Sequence, residues 1–214
     1  MIPINKRLLL ENKAWSIEKL NDDPEFFKRL AQGQNPKILW IGCSDSRIPA
    51  NEITNTQPGD IFVHRNIANI VVPDDPNLLS VIQYAVESLG IENIIICGHS
   101  GCGGVKASMD VEKITPPLKD WLTPLVDTFI DHRHELSSFS NIDEQVMHLV
   151  KLNVIKQAEL LSKIPFVKKR WELGLPLTIH GWVFDISQGR LEEISMINAL
   201  TKTYTRNYQP QPQL

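Results

Sequence analysis

The chain has 214 residues, 42% of them apolar and 22% charged, with a net charge of −3 at pH 7. This composition is typical of a soluble globular protein, and it does not favour a nucleic-acid surface, which needs a basic excess to neutralise phosphates. No apolar run reaches the roughly 18 residues that span a bilayer. We therefore expect one cytoplasmic domain over residues 1–214, with no membrane and no nucleic-acid partner.

The N-terminal segment has the apolar spacing of a helix over residues 7–32. A second helical piece is predicted after Asp23-Pro24, because proline fits the first turn of a helix. No strand precedes this segment. We therefore expect residues 1–35 to form a helical arm whose apolar face packs on its own domain or on another subunit.

Compact apolar runs further along the chain predict three buried strands, at 37–42, 60–65 and 93–98. A fourth strand at 175–185 is followed by a turn and a second alternating run, which together predict a hairpin.

Helices are predicted between these strands, at 78–90 and 153–164, and the region 106–150 is mostly helical with proline interruptions. Because strands alternate with helices, we predict an α/β fold with a mostly parallel central β-sheet flanked by helices. The last residues, 207–214, lack apolar anchors and are predicted to be a mobile tail.

The three cysteines are an odd number, which does not indicate a disulfide framework. Cys97 lies inside the apolar run 93–98, and we predict a core residue there. Cys43 and Cys102 belong to two motifs, CSDSR and GHSGCGG, that each follow a predicted strand. Ligands bind at the carboxyl ends of strands in open α/β sheets. The two motifs will face one another if their strands are neighbours.

A metal site is predicted from these motifs. His99 and Cys102 form an H-x-x-C pair that can bind one metal ion, and Cys43 would supply a third ligand from the other strand end. Two cysteines and one histidine are a ligand set of catalytic zinc, which keeps its fourth position open. Asp45 and Arg47 lie two residues apart, so both point the same way in an extended stretch. Asp45 either closes the fourth position or pairs with Arg47 and leaves that position to water.

Other interpretations of the same residues remain open at this point. A hydrolase pair of Cys43 and His99 is chemically feasible, but it leaves Cys102 without a role. A structural zinc closed by Asp45 is another option. The glycine run fits neither of the common phosphate-binding patterns. The histidines at 132, 134 and 148 lie in a charged helical stretch and are predicted to face solvent, and His180 is predicted to be a hydrogen-bonded structural residue.

Taken together, the motifs resemble the β-class carbonic anhydrases. The resemblance rests on C-x-D-x-R followed by H-x-x-C, and on the longer stretches ILWIGCSDSR, FVHRNIANIV, SVIQYAVESLGIENIIICGHSGCGG and LTIHGWVFD. It implies reversible hydration of carbon dioxide to bicarbonate and a proton, by a hydroxide on one zinc ion per chain. It implies that Cys43, His99 and Cys102 bind the zinc and that Asp45 and Arg47 act as a dyad at its fourth position.

The resemblance also implies self-association and regulation. Members of the family form homodimers or homotetramers, so the N-terminal arm is expected to pack on a neighbouring subunit. In one variant of the family, the aspartate binds zinc at low pH and bicarbonate occupies a nearby pocket. Trp40 and Arg65 match that variant and predict a bicarbonate site and a pH switch. Its usual tyrosine in GWVYD is Phe184 here, which removes one hydrogen-bond donor to bicarbonate.

Overall fold

The computed structural model describes residues 2–201 and 204–205. The chain divides into two compact units, and the boundary between them falls after Asn35. The tail predicted at 207–214 lies outside the described residues. No helix in the described part of the chain is both long enough and apolar enough to cross a bilayer.

The N-terminal unit consists of two helices, α1 (Ile4–Asp22) and α2 (Phe26–Leu30). The chain breaks between them at Asp23-Pro24, as predicted. The rings of Trp15 and Phe27 meet edge to face with their centroids 5.4 Å apart. No residue of α1 is buried, and its large apolar side chains are well exposed, Leu9 at 71%. The described residues of this unit therefore leave several large apolar side chains of α1 exposed.

The second unit is built on one sheet. Its strands are β1 (Ile38–Cys43), β2 (Ile61–Asn66), β3 (Asn93–His99), β4 (Thr178–Asp185), β5 (Arg190–Ile197) and the short β6 (Tyr204–Thr205). Their order is β2-β1-β3-β4-β5-β6. The first four strands are parallel, and β5 pairs antiparallel with β4 as the predicted hairpin. The predicted α/β fold with a mostly parallel sheet is confirmed.

Helices connect and flank the strands. They are α3 (Ala50–Thr54), α4 (Pro76–Gln83), α5 (Gly103–Ser108), α6 (Leu118–Trp121), α7 (Thr123–Asp131), α8 (Arg133–Leu136), α9 (Ile142–Ser162) and α10 (Pro165–Glu172). One wider π-helical turn, Tyr84–Ser88, continues α4. The helix ends as predicted at Gly90, whose φ of 65° suits glycine.

Helix α9 begins much earlier than the predicted residue 153. Asn141 caps it, because the Asn141 side chain accepts a hydrogen bond from the Asp143 N–H at 2.8 Å. The longer helix carries His148 into the protein, where it is 2% exposed. The prediction that His148 faces solvent was therefore wrong, since the helix presents that position to the core. Its Nε2 lies 2.6 Å from Oε1 of Glu135.

Two separate apolar clusters cover the two faces of the sheet, since successive strand residues point to opposite faces. The main core lies between one face and the longer helices, and from β1 it includes Leu39, Ile41 and Cys43. The minor core covers the other face and consists of Trp40, Ile48, Ala50, Ile61, Ile95, Cys97 and Phe184. Cys97 is fully buried there, which confirms its predicted core position.

Candidate metal centre

The predicted ligands come together because β1 and β3 are neighbours. Gly42 lies opposite Cys97 in the parallel register, so Cys43 and His99 both lie at the carboxyl edge of the sheet. A turn at Gly101, with φ 62°, then returns the chain, and Cys102 immediately precedes α5. Three elements therefore each contribute one side chain.

The ligand atoms are arranged as a single metal ion requires. The sulfurs of Cys43 and Cys102 lie 3.9 Å apart, and the ligand atoms of these cysteines and His99 all lie within 4.8 Å of one another. Tetrahedral zinc with Zn–S bonds of about 2.3 Å separates two sulfurs by about 3.8 Å. All three side chains are buried, so a metal ion bound here would be largely shielded from solvent.

The hydrogen bonding of His99 leaves one ring nitrogen free to bind a metal. Its Nδ1 lies 3.0 Å from the carbonyl oxygen of Ser100. A carbonyl only accepts, so Nδ1 carries the proton and Nε2 has a lone pair. Nε2 is buried and has no hydrogen-bond partner among the described residues. A buried polar atom of this kind needs a partner, and the backbone contact at Nδ1 is typical of a metal-binding histidine.

The two thiols differ in their protonation. The pKa of Cys43 is lowered to about 4, first because the Cys102 thiol donates a hydrogen bond to it, and further by the His99 side chain and the backbone N–H groups of Asp45 and Ala68. Donating that proton, together with burial, raises the pKa of Cys102. Zinc binds thiolates, so Cys43 is already in the required form, and a bound cation would take the place of the proton between the two sulfurs. The donor set fits one zinc ion.

Asp45 and Arg47 form a close ion pair beside the ligands. Arg47 donates from Nε to Oδ1 at 2.9 Å and from Nη2 to Oδ2 at 2.7 Å, and its backbone N–H reaches Oδ1 at 3.0 Å. These contacts hold the pKa of the Asp45 carboxyl well below its usual range. Oδ2 of Asp45 lies 3.9 Å from Nε2 of His99. The structure thus places an ionised carboxylate next to the predicted metal ligands.

The residues predicted for bicarbonate are arranged differently. Nε of Arg65 donates to the carbonyl oxygen of Cys43 at 2.8 Å, and its Nη2 donates to that of Asp45. Trp40 is fully buried in the minor core with Phe184, and its indole N–H has no partner within the described residues. The Arg65 guanidinium therefore supports the backbone of the metal-binding loop.

Two backbone supports of the site were missed by the sequence analysis. Ser100 ties the His99 loop to β4, because its N–H donates to the Phe184 carbonyl and its Oγ accepts from the Ile186 N–H, both at 2.9 Å. The second support is the backbone of Ala68, a residue with φ 63°, whose N–H contributes to the lowered pKa of Cys43. Ser100 could have been considered from its place beside a ligand, whereas nothing in the residue type of Ala68 indicates its role.

A parallel sheet with two cysteines and one histidine at adjacent strand ends, beside a carboxylate held by arginine, defines a zinc enzyme of the α/β class. The sequence profile of the family described as carbonic anhydrase matches residues 38–191. A carbonic anhydrase from Emericella nidulans is 42% identical over 191 residues, which are 89% of this chain and 83% of that protein.

Solved structures agree with this assignment. A tetrameric β-carbonic anhydrase from Sordaria macrospora has a TM-score of 0.85 and 44% identity, covering 88% of this chain and 95% of that one. The Coccomyxa β-carbonic anhydrase in complex with acetazolamide also has a TM-score of 0.85, with 32% identity over 89% of this chain and 86% of that one. The chain belongs to the β-class carbonic anhydrase family. It is an enzyme that hydrates carbon dioxide and uses zinc as its cofactor.

Proposed function

We propose that Asp45 and Arg47 act as a dyad in the reversible hydration of carbon dioxide, controlling the position that three protein ligands leave to water. The observation that carries this proposal is the two-pronged ion pair, which lies with Oδ2 of Asp45 at 3.9 Å from His99 Nε2. A carboxylate so placed is within reach of a small molecule that contacts the metal ligands.

The charge of Asp45 determines what it can do there. Since Arg47 keeps the pKa of this carboxyl low, Asp45 is an anion at neutral pH and accepts hydrogen bonds without donating any. It would accept a hydrogen bond from the attacking water and orient its lone pair towards carbon dioxide. Arg47 holds the carboxylate in place. Cys43, His99 and Cys102 would hold the zinc ion, which would supply a nucleophile at neutral pH by lowering the pKa of water to about 7.

We also propose the pH switch, in which Asp45 exchanges its partner. The carboxylate pairs with Arg47 in this structure, and in the closed state it would instead occupy the fourth ligand position. The low pKa of Asp45 argues that its own protonation does not operate the switch. The carboxylate would compete with a water for that position, so closure would be favoured at lower pH, where this water is protonated.

Stopped-flow hydration of carbon dioxide from pH 6.5 to 9, with zinc content measured alongside, tests both proposals. The wild-type rate should rise with pH. Asp45→Asn should retain zinc, lose about 10- to 100-fold in rate and lose closure by the carboxylate. Arg47→Lys keeps the charge but not the two-pronged geometry, so its hydration rate should lie between those of the wild type and Asp45→Asn. A hydration rate that is flat across this pH range would contradict the proposed switch. An Asp45→Asn variant as fast as the wild type would contradict the proposed dyad.

The bicarbonate site at Trp40 and Arg65 remains a prediction. Both hydrogen bonds described above commit Arg65 to backbone carbonyls, and Phe184 offers no hydroxyl. The Trp40 N–H, which has no hydrogen-bond partner in the described part of the chain, is the feature that supports an anion there. Cytoplasmic location likewise remains a prediction.

We further propose that the chain forms homodimers or homotetramers through its N-terminal arm. The exposed leucines of α1 support this, as does the description of the Sordaria macrospora relatives as tetrameric. Light scattering on the wild type and a Leu9→Glu variant gives the test: the wild type should have at least twice the chain mass, and the variant should dissociate. A monomeric wild type would contradict the proposal.

A further inference from the structure

The turn of the β4–β5 hairpin is held together by its own hydrogen bonds. Oδ1 of Asp185 accepts from the Ser187 N–H and from the Ser187 hydroxyl, at 2.8 and 2.7 Å, and the Gly189 N–H donates to the Asp185 carbonyl at 2.8 Å. Gly189 has a φ of 64°, a conformation that glycine adopts readily. The Ile186 N–H takes no part in these bonds, so it can donate to another segment of the chain.

Ser100 is the residue that accepts from this N–H. Its Oγ lies 2.9 Å from the Ile186 nitrogen, and its own N–H donates to the Phe184 carbonyl at 2.9 Å. The hairpin therefore holds Ser100 both at its backbone and at its side chain. Because Ile186 itself packs against the minor core, this anchor belongs to the folded sheet.

The two anchors determine where the Ser100 carbonyl lies. A residue that is held at its N–H and at its side chain has lost its freedom at φ and χ1, so the carbonyl can move only by rotation about ψ. The carbonyl oxygen lies 3.0 Å from Nδ1 of His99. The hydrogen bond that leaves His99 Nε2 free for a metal is thus made by a residue that the hairpin positions.

We propose that Ser100 is a positioning residue of the zinc site, which uses the β4–β5 hairpin to keep its carbonyl oxygen on Nδ1 of His99. The hydroxyl acts on the imidazole through the Ser100 backbone. The proposal rests on the zinc site and does not involve the dyad of Asp45 and Arg47, so either proposal can fail without the other.

The physical effect follows from the role of the carbonyl. An acceptor at one ring nitrogen keeps the proton there, leaves the lone pair of the other nitrogen for the metal and fixes the plane of the ring. Without the hydroxyl anchor, the Ser100 carbonyl can rotate away from His99, and the ring loses both effects. Contacts behind a metal ligand typically change metal affinity by about 10- to 100-fold. Since the backbone anchor survives loss of the hydroxyl, we expect the lower end of that range.

Three variants test the role of the hydroxyl. Ser100→Ala removes it, and Ser100→Thr keeps it. Ser187→Ala is the matched control, because it removes a hydroxyl from the same hairpin turn, where that hydroxyl donates to Asp185. Zinc affinity is measured by competition with a chromogenic chelator, and thermal unfolding of the zinc-free proteins is recorded alongside. We expect an affinity about tenfold weaker in Ser100→Ala and close to that of the wild type in the other two. Equal affinities of Ser100→Ala and the wild type would overturn the proposal, and so would an equal loss in Ser187→Ala.

The ring N–H of His99 separates a positioning role from general destabilisation. It can be observed by NMR in zinc-loaded enzyme labelled with ¹⁵N-histidine. In the wild type the Ser100 carbonyl protects this proton, so its exchange with solvent should be slow. We expect faster exchange in Ser100→Ala and the wild-type rate in Ser187→Ala. A weaker zinc affinity with unchanged exchange of the ring proton would mean that the hydroxyl contributes only to stability, and would overturn the proposal.

The wild-type protein provides a test that does not require the variants to fold. If the Ser100 anchor favours zinc binding at His99, bound zinc must stabilise the anchor by the same factor. Amide hydrogen–deuterium exchange at Ile186 should therefore be about tenfold faster in the zinc-free than in the zinc-loaded enzyme. Exchange at Gly189, whose N–H bonds within the turn, should change little. Equal exchange at Ile186 in the two forms would contradict the proposal.

Discussion

Both faces of the sheet are covered by buried apolar residues, but the buried cysteines on the two faces have different roles. The main core lies between one face and the longer helices, and it includes Cys43 at the end of β1. The minor core covers the other face with seven buried residues, among them Trp40 and Cys97. Side chains alternate along β3, so His99 points to the same face of the sheet as Ile95 and Cys97. The zinc site therefore lies where side chains from opposite faces meet, at the last residues of two strands.

Cys43 and Cys97 show what this difference teaches. Both thiols are buried, at 4% and 0% exposure, and they belong to adjacent strands. Burial raises the pKa of Cys97, whereas hydrogen-bond donors lower that of Cys43 to about 4 despite burial. A buried cysteine is therefore inert inside a strand and becomes a ligand at the strand end, because only there do loop N–H groups and other ligands approach it.

The largest expected effect comes from exchanging each cysteine for alanine. Cys43→Ala should lose its zinc and at least about 100-fold in hydration rate, because a ligand matters more than the outer contacts that already change activity 10- to 100-fold. Cys97→Ala should retain zinc and lose about 1–2 kcal/mol of stability through the small cavity it leaves. Metal analysis, stopped-flow kinetics and urea unfolding provide the measurements. Loss of zinc from Cys97→Ala would contradict the assignment of Cys97 to the core and of Cys43 to the metal site.

The pH dependence of alkylation sharpens the same comparison. In zinc-free, reduced protein, the rate at which iodoacetamide modifies Cys43 should stay flat from pH 5.5 to 8, because its pKa of about 4 lies below this range. An ordinary thiol, with a pKa of about 8.5, would react about tenfold faster per pH unit there. Cys97 should not react in the folded protein. Peptide mass spectrometry reports each site, and protein unfolded in urea, where all the cysteines should show the ordinary slope, is the control. A tenfold rise per unit at Cys43 would contradict the prediction.

A smaller effect is expected at Gly98, which precedes the ligand His99 in β3 and faces the main core. A Cβ at Gly98 would lie 2.7 Å from Val154 and 2.9 Å from Val150, so Gly98→Ala should destabilise the protein by about 1–3 kcal/mol through overpacking. Gly103→Ala is the control, because its added Cβ has nothing within 4 Å. Urea unfolding of the zinc-free variants measures both. Equal stabilities of the two variants would show that α9 moves away from the strand easily.

Much of the site could be predicted because its ligands are local to strand ends. Short apolar runs indicated β1 and β3, and the polar motifs directly after them carried Cys43, His99 and Cys102. Parallel strands end at the same edge of a sheet, so two such motifs meet once their strands are neighbours. The closeness of Asp45 and Arg47 was predictable for a similar reason, since a spacing of two residues suffices to bring the side chains together, but the choice between their ion pair and an Asp45 at the metal was left open.

Other features depended on contacts between distant segments and could not be predicted. His148 lies in a charged stretch, yet the cap at Asn141 lengthens α9 and turns this histidine inward. Arg65 fits a bicarbonate pattern by its place in the sequence, but its guanidinium reaches the carbonyls of Cys43 and Asp45. Neither outcome has a signal in the neighbouring residues.

The sequence by itself determined the main strands and the ligand types, because these follow from periodicity and from spacings of a few residues. Only the tertiary structure decided which of the two ligand thiols has the lowered pKa, and how Asn153 and Gln157 bond to the backbone of Ala68 and Val71. Both depend on hydrogen bonds between groups far apart in the chain, such as the 3.0 Å contact from Asn153 to Ala68. Those bonds exist only after the helices have packed on the sheet.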